Sequence, residues 1–329
     1  MMRTPTWWNT RSMLAHSLRP LSALYALGFR LDRALNAAQH AVLPVVGIGN
    51  LTAGGAGKTP ATLAVVALLR SMGATPHIIS RGYGGNIRTI HRVDPATDRA
   101  ADVGDEPLLL AAHAPTWIGR DRLTSIAAAK AAGATIVVAD DAMQHHRLYK
   151  DLQLLVVDAG FGFGNGLLLP AGPLREPLQS ALARANQLIL HIGPLSHDQR
   201  AAYGQNCPVL QATFQPVGDQ AALMQGRWLA FAGIARPQKF YDTLRQMGVH
   251  VAGTQDFADH HPFAPHELEA LAQTAKAQGL SLITTEKDWM RLSPEWRETI
   301  SFLPVQLVLA DDTALRHAFA ALLTPTQQA

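Results

Sequence analysis

One cysteine in 329 residues leaves no partner for an intramolecular disulfide, so no disulfide framework holds this chain together. Cys207 precedes Pro208 and the apolar pair Val209–Leu210, and it reads as a structural thiol of a reducing compartment. No run of about 18 apolar residues occurs, which excludes a transmembrane helix by hydropathy. The N-terminus lacks the compact basic-then-apolar order and small-residue cleavage site of a signal peptide, so export is not expected. Internal repeats and low-complexity tracts are also missing. Charged residues make up only 16% against 48% apolar, a balance that suits a globular chain and argues against a disordered one. At this length two modest cores are a better expectation than one large core.

The net charge of +3 is small but unevenly placed. Residues 1–40 hold Arg3, Arg11, Arg19, Arg30 and Arg33 against the single acid Asp32, so this end carries +4 and the remainder −1. A nucleic-acid binder would spread basic charge over a face of its body, and none is expected here. Leu14, Leu18, Leu21, Leu24, Tyr25 and Leu27 recur near helical spacing between those arginines, with Trp7 and Trp8 ahead of them. Two readings stand: an amphipathic helix lying in a lipid headgroup layer, or a helix packed on the protein's own core.

From residue 43 the chain alternates short apolar runs with helical stretches, which predicts an α/β fold with a mostly parallel sheet flanked by helices. Leu43–Ile48, His77–Ser80, Thr135–Ala139, Leu152–Val157 and Gln187–Ile192 read as strands. Ala61–Met72 and Leu123–Ala132 read as helices stopped by Gly73 and Gly133. A second, smaller α/β pattern follows. It comprises strands Arg227–Gly233, Leu280–Thr284 and Val305–Leu309, with helices Pro237–Met247 and Pro265–Gln278. The expected division is a basic helical segment over 1–40, a nucleotide-binding domain over 41–220 and a smaller domain over 221–329.

The strongest local signal is Gly47-Ile48-Gly49-Asn50-Leu51-Thr52-Ala53-Gly54-Gly55-Ala56-Gly57-Lys58-Thr59-Pro60, placed after a strand and before a helix. Glycines let a backbone turn its N–H groups inward onto phosphate oxygens, and the helix N-terminus adds partial positive charge. In such a P-loop, residues Thr52 to Thr59 cradle the nucleotide. Lys58 reaches the β- and γ-phosphates, and the Thr59 hydroxyl binds Mg²⁺. Thr52 stands where the usual pattern has its first glycine, a departure that Gly54 and Gly55 would offset. A metal-holding carboxylate is expected at the end of another buried strand, where Asp140 and Asp141 compete with Asp158. The adjacent pair concentrates the charge that a divalent ion would compensate, which favours it. His145 and His146, without cysteine or further spaced histidines, make a poor transition-metal site.

These blocks resemble the tetraacyldisaccharide 4'-kinases, a family of P-loop kinases that shares the threonine at the first glycine position. Ser80-Arg81-Gly82-Tyr83-Gly84-Gly85, Val103-Gly104-Asp105-Glu106-Pro107 and Asp140-Asp141-Ala142-Met143-Gln144-His145 are similar to further blocks of that family. So are Leu169-Pro170-Ala171-Gly172-Pro173-Leu174-Arg175-Glu176-Pro177, Asp259-His260-His261 and Thr285-Glu286-Lys287-Asp288. Ala142 and Met143 stand where the family more often has glycine and phenylalanine. The resemblance implies transfer of the γ-phosphoryl of ATP, with Mg²⁺, to the 4'-hydroxyl of an acylated disaccharide 1-phosphate. It places the protein peripherally on the cytoplasmic face of the inner membrane, with the membrane surface and the lipid as its partners and no obligate protein partner. It also implies Asp105 and His261 as the acid–base pair, one from each part of the chain. Arg175 fits as a guanidinium fork that neutralises phosphate charge. No role follows for Glu286, Lys287 or Asp288.

Two other functions are weighed beside this one. A regulatory or metallochaperone NTPase would need a guanine- or partner-specifying element, and no clear Asn-Lys-x-Asp-like segment occurs. A soluble small-molecule kinase would phosphorylate plain sugars without lipid.

Overall fold

The computed structural model describes residues 5–10, 12–184, 186–204, 207–218 and 220–324; Arg3 and Arg11 lie outside them. The chain divides into two compact units, Thr6–Phe214 with the part from Leu307 onward, and Gln215–Gln306.

The larger unit begins with helix α1 (Arg19–Leu35) and strand β1 (Val45–Gly49), followed by α2 (Lys58–Ser71), β2 (Pro76–Ser80) and β3 (His91–Arg92). Helix α3 (Asp105–Ala111), β4 (Thr116–Ile118), α4 (Arg122–Ala131) and β5 (Ile136–Ala139) come next, then β6 (Leu152–Asp158), β7 (Gln187–Ile192) and β8 (Val209–Pro216). The smaller unit holds β9 (Arg227–Ala232), α5 (Pro237–Gln246), β10 (His250–Asp256), α6 (Pro265–Ala277), β11 (Ser281–Thr285) and β12 (Ser301–Leu303). Strand β13 (Val305–Leu309) and helix α7 (Thr313–Leu323) close the described chain.

The large sheet has the order β13-β8-β7-β6-β1-β5-β2-β4-β3. β1 pairs in parallel with β5 through Val45↔Val137 and with β6 through Ile48↔Leu154, whereas the short β3 runs antiparallel to β4. Both faces are buried, which is why these strands read as continuous apolar runs rather than alternating ones. Val46, Ile48, Val138, Leu154 and Val156 pack with α2 and α7 on one face. Val45, Val137 and Ala139 face α4 residues Ile126 and Ala129 on the other. A slip of one residue would exchange the two faces, so the register is strongly specified. Parallel pairing brings the carboxyl ends of β1, β2, β5 and β6 to one edge. There the chain leaves β1 in the middle of the sheet, the topological position where α/β folds bind ligands.

The smaller unit is a four-stranded sheet of order β10-β9-β11-β12, all parallel. Leu229 and Phe231 of β9 pack with α6, while Trp228, Ala230 and Ala232 pack with α5. The domain expected over 221–329 is therefore shorter than the sequence suggests. β13 joins the large sheet beside β8, and α7 buries Leu315 and Phe319 in the core that also holds α2.

Candidate active site

The glycine-rich loop does what its position after β1 demands. Gly57 takes φ +87° as the N-cap of α2, a left-handed conformation that calls for glycine. Among the described residues no side chain caps this helix, and no acid occupies its first turn, which leaves its N–H donors and positive end for an anion. Thr52 needs no glycine-like freedom, because it forms an antiparallel bridge with Leu174. Ala53 N donates to Pro173 O (2.8 Å) and Arg175 N to Leu51 O (2.7 Å), so the 173–175 segment braces the loop from outside. Gly54 and Gly55 stay exposed at its tip.

Lys58 sits inside this cradle. Its Nζ lies 3.3 Å from Asn50 Oδ1 and 3.6 Å from Asp141 Oδ1. Asn50 is buried and donates from Nδ2 to Thr52 O at 2.8 Å, so its carbonyl is turned toward the lysine. Asp141 also meets Arg175 Nη1 at 3.5 Å. Burial opposes its ionisation, yet Lys58 and Arg175 together hold its carboxyl below the usual range. Asp141 carries φ +46°, a left-handed conformation that side chains other than glycine adopt at a cost. Its neighbour Asp140 is buried and accepts from Thr62 Oγ1 at 3.0 Å. Burial, with Glu106 and Asp141 nearby, pushes the Asp140 carboxyl up to about 7. Thr59 is buried on the first turn of α2.

Crowded acids beside a hydroxyl-bearing helical turn suit a hard divalent cation. Among the described residues no three His, Cys, Asp or Glu side chains converge as a complete cage. Magnesium is commonly held by one or two carboxylates, with substrate phosphates and water completing its shell, so Thr59, Asp140 and Asp141 fit it. Asp158, the competing strand-end acid, instead accepts from Gly160 N at 3.0 Å and caps its own turn.

Other residues, unassigned from sequence, tie the blocks together. Gln144 Nε2 donates to Asn50 O (3.0 Å) and to Glu176 Oε1 (3.1 Å), joining the glycine loop, the Asp140–His145 block and the Arg175 block. Glu176 is fully buried and paired with Arg184. Gly49 leaves room for this layer, since a β-carbon there would lie 2.5 Å from Met143 Cβ. Arg122, on the first turn of α4, is buried, and its Nη1 has no hydrogen-bond partner among the described residues. Burial draws its guanidinium down to about 10, while Asp140 and Asp141 favour its charge and Arg81 opposes it. The only sequence signal for Arg122 is a charge at a position where α4 turns inward.

Asp105 starts α3 and is buried. The two blocks around it pack together: Asn86 N and Ile87 N both donate to Asp102 O (2.8 and 3.0 Å). His261 belongs to the smaller unit, where its Nε2 lies 2.7 Å from Glu267 Oε2. Asp288, without a role from sequence, is a buried hub there. It accepts from Gly233 N (2.9 Å), Thr285 Oγ1 (2.8 Å) and Arg291 Nη1 (2.6 Å). Arg291 in turn donates to Gly233 O (3.1 Å), and its Nη2 lies 3.4 Å from His260 Nδ1, so this hub supports the Asp259–His261 loop.

Comparison with known proteins gives the family and the fold. The family model described as tetraacyldisaccharide-1-P 4'-kinase matches residues 14–324. The tetraacyldisaccharide 4'-kinase of Dinoroseobacter shibae is 45% identical over 330 residues, covering 98% of both chains. That of Methylobacterium sp. strain 4-46 is 46% identical over 330 residues with the same coverage. The fold matches that of LpxK from Aquifex aeolicus, solved in complex with ATP, with a TM-score of 0.76 and 24% identity over 94% of this chain and all of the other. With a match over nearly its whole length and relatives this similar, the chain belongs to the tetraacyldisaccharide-1-P 4'-kinase family.

Proposed function

We propose that this protein transfers the γ-phosphoryl group of ATP to the 4'-hydroxyl of a tetraacyldisaccharide 1-phosphate in lipid A synthesis. The observation that carries the reading is Lys58, held by Asn50 and Asp141 at the uncapped head of α2. The loop from Thr52 to Thr59 wraps the triphosphate, with N–H groups at the uncapped head of α2 donating to it, and Lys58 follows the charge onto the β- and γ-phosphates. Arg175, braced against the loop through Leu51 O, shares that task with a planar fork. Bound through Thr59, Asp140 and Asp141, magnesium would supply neutralisation of phosphate charge.

Asp105 removes the proton of the acceptor hydroxyl, whose oxygen forms a bond to the γ-phosphorus while the bond to the β–γ bridging oxygen breaks. ADP leaves with that electron pair. His261 partners Asp105, taking up and returning the proton. The lipid acceptor calls for a membrane surface, and we place the protein peripherally on the cytoplasmic face of the inner membrane. No helix among the described residues is long and apolar enough to cross a membrane.

The test is a labelled-ATP transfer assay with a tetraacyl disaccharide 1-phosphate acceptor in detergent, run beside plain sugars. Label moves only to the lipid, Lys58→Ala abolishes transfer, and Asp105→Ala lowers turnover by about 10²–10⁴-fold with ATP affinity kept. Transfer to water-soluble sugars would support the small-molecule kinase instead. ATP hydrolysis without any acceptor would support the regulatory NTPase.

A further inference from the structure

The loop that carries His261 is built more firmly than a surface loop requires. His260 and Phe263, on either side, take φ of +58° and +26°, left-handed values for bulky residues that persist only where surroundings impose them. His260 N donates to Gly233 O and His261 N to Ala258 O, both at 3.0 Å. The imidazole plane of His261 is set by stacking on Phe257 (centroids 4.9 Å apart, planes at 29°) and by the edge-on ring of Phe263 at 5.3 Å. Rotation within that plane is set by Glu267, whose Oε2 lies 2.7 Å from His261 Nε2 and 2.8 Å from Ala264 N. The hydrogen bond from His261, then that from Ala264 N, holds the Glu267 carboxyl below its ordinary range. An ionised carboxylate only accepts, so Nε2 must carry a proton and Nδ1 is left as the nitrogen that can exchange one.

We infer that Glu267 is a positioning residue of the transfer reaction, fixing His261 in one tautomer and one ring orientation and stabilising the imidazolium when His261 takes the proton. The inference rests on the reading of His261 as partner of Asp105. Glu267 also caps the N-terminus of α6, a role that needs only an acceptor oxygen and no charge. The two roles separate in a double-mutant cycle.

Glu267→Gln keeps an acceptor oxygen for Ala264 N but removes the charge that His261 meets. Turnover with tetraacyl disaccharide 1-phosphate falls roughly tenfold, within what a partner of an acid–base group contributes, while KM for ATP and the melting curve stay unchanged. In a His261→Ala background the same substitution has no further effect, because Glu267 then has no imidazole to hold. Equal losses in both backgrounds, or no loss in either, overturn the inference. If His261→Ala alone leaves turnover intact, the reading of His261 fails first. If His261→Ala is impaired and Glu267→Gln is not, only the role of Glu267 fails.

Discussion

Asp140 and Asp141 are neighbours in sequence with opposite electrostatics. Asp141 faces Lys58 and Arg175 and stays ionised, whereas Asp140 is buried, crowded by Glu106 and Asp141, and titrates at about 7. A carboxyl raised in this way keeps its proton in the folded state at pH values where the unfolded chain has released it. Stability is therefore fully favoured below its unfolded value of 3.8 and falls as pH climbs through about 7. We expect Asp140→Asn to raise the melting temperature of nucleotide-free protein at pH 8 by roughly 5 °C, with a smaller gain at pH 5. The same variant loses phosphoryl transfer, since it gives up a carboxylate assigned to magnesium. Melting curves across that range decide it; a gap that does not grow with pH contradicts the burial argument.

At the scale of elements, Asp288 carries the next expectation. It is fully buried against Arg291, whose own side chain is only 6% exposed. Asp288→Ala takes away the carboxylate that balances that buried guanidinium and should cost about 3–5 kcal/mol, the usual loss when one partner of a buried pair is removed. Urea unfolding would show it, and Asp288→Asn, which keeps acceptor oxygen for Gly233 N, should lose less. The tie to Gly233 was not legible in Thr285-Glu286-Lys287-Asp288, because Gly233 lies 55 positions away and no local pattern joins the two. The strand–loop–helix unit around Lys58 was legible for the opposite reason: its apolar run, glycines and helix face are all local. β1, β5, β6 and β7 are buried on both faces and announced themselves as apolar runs. β10 alternates and is largely exposed, and β12 has three residues, so neither carried a hydrophobic signal. Motif resemblance singled out Asp105, Arg175 and His261. No motif pointed to Arg122 or Glu267, whose surroundings arise only in the fold.

At the scale of the whole molecule, the proposed approach to a lipid acceptor turns on α1. Its inner face is pinned to the larger unit by two polar side chains. Ser22 Oγ donates to Leu168 O (2.8 Å), and Tyr25 Oη donates to Arg175 O (2.9 Å). The inner face thus packs on the protein's own body, while Leu21, Leu24, Leu31 and Leu35 remain 52–81% exposed along the outer side. An apolar stripe of this size, with Arg19, Arg30 and Arg33 on the same helix, suits the headgroup boundary of a bilayer. Replacing Leu21, Leu24 and Leu31 by serine removes apolar area without touching Ser22 or Tyr25. Each leucine contributes about 1.5–3 kcal/mol when fully buried, and half that insertion at three positions still implies at least a tenfold fall in partition onto anionic vesicles. Turnover of a detergent-dispersed acceptor should stay within about twofold, because the braced contacts from Tyr25 through Arg175 to Leu51 are kept. Unchanged sedimentation with vesicles refutes the membrane role of the stripe. An equal loss in detergent would instead place α1 in the support of the phosphate loop.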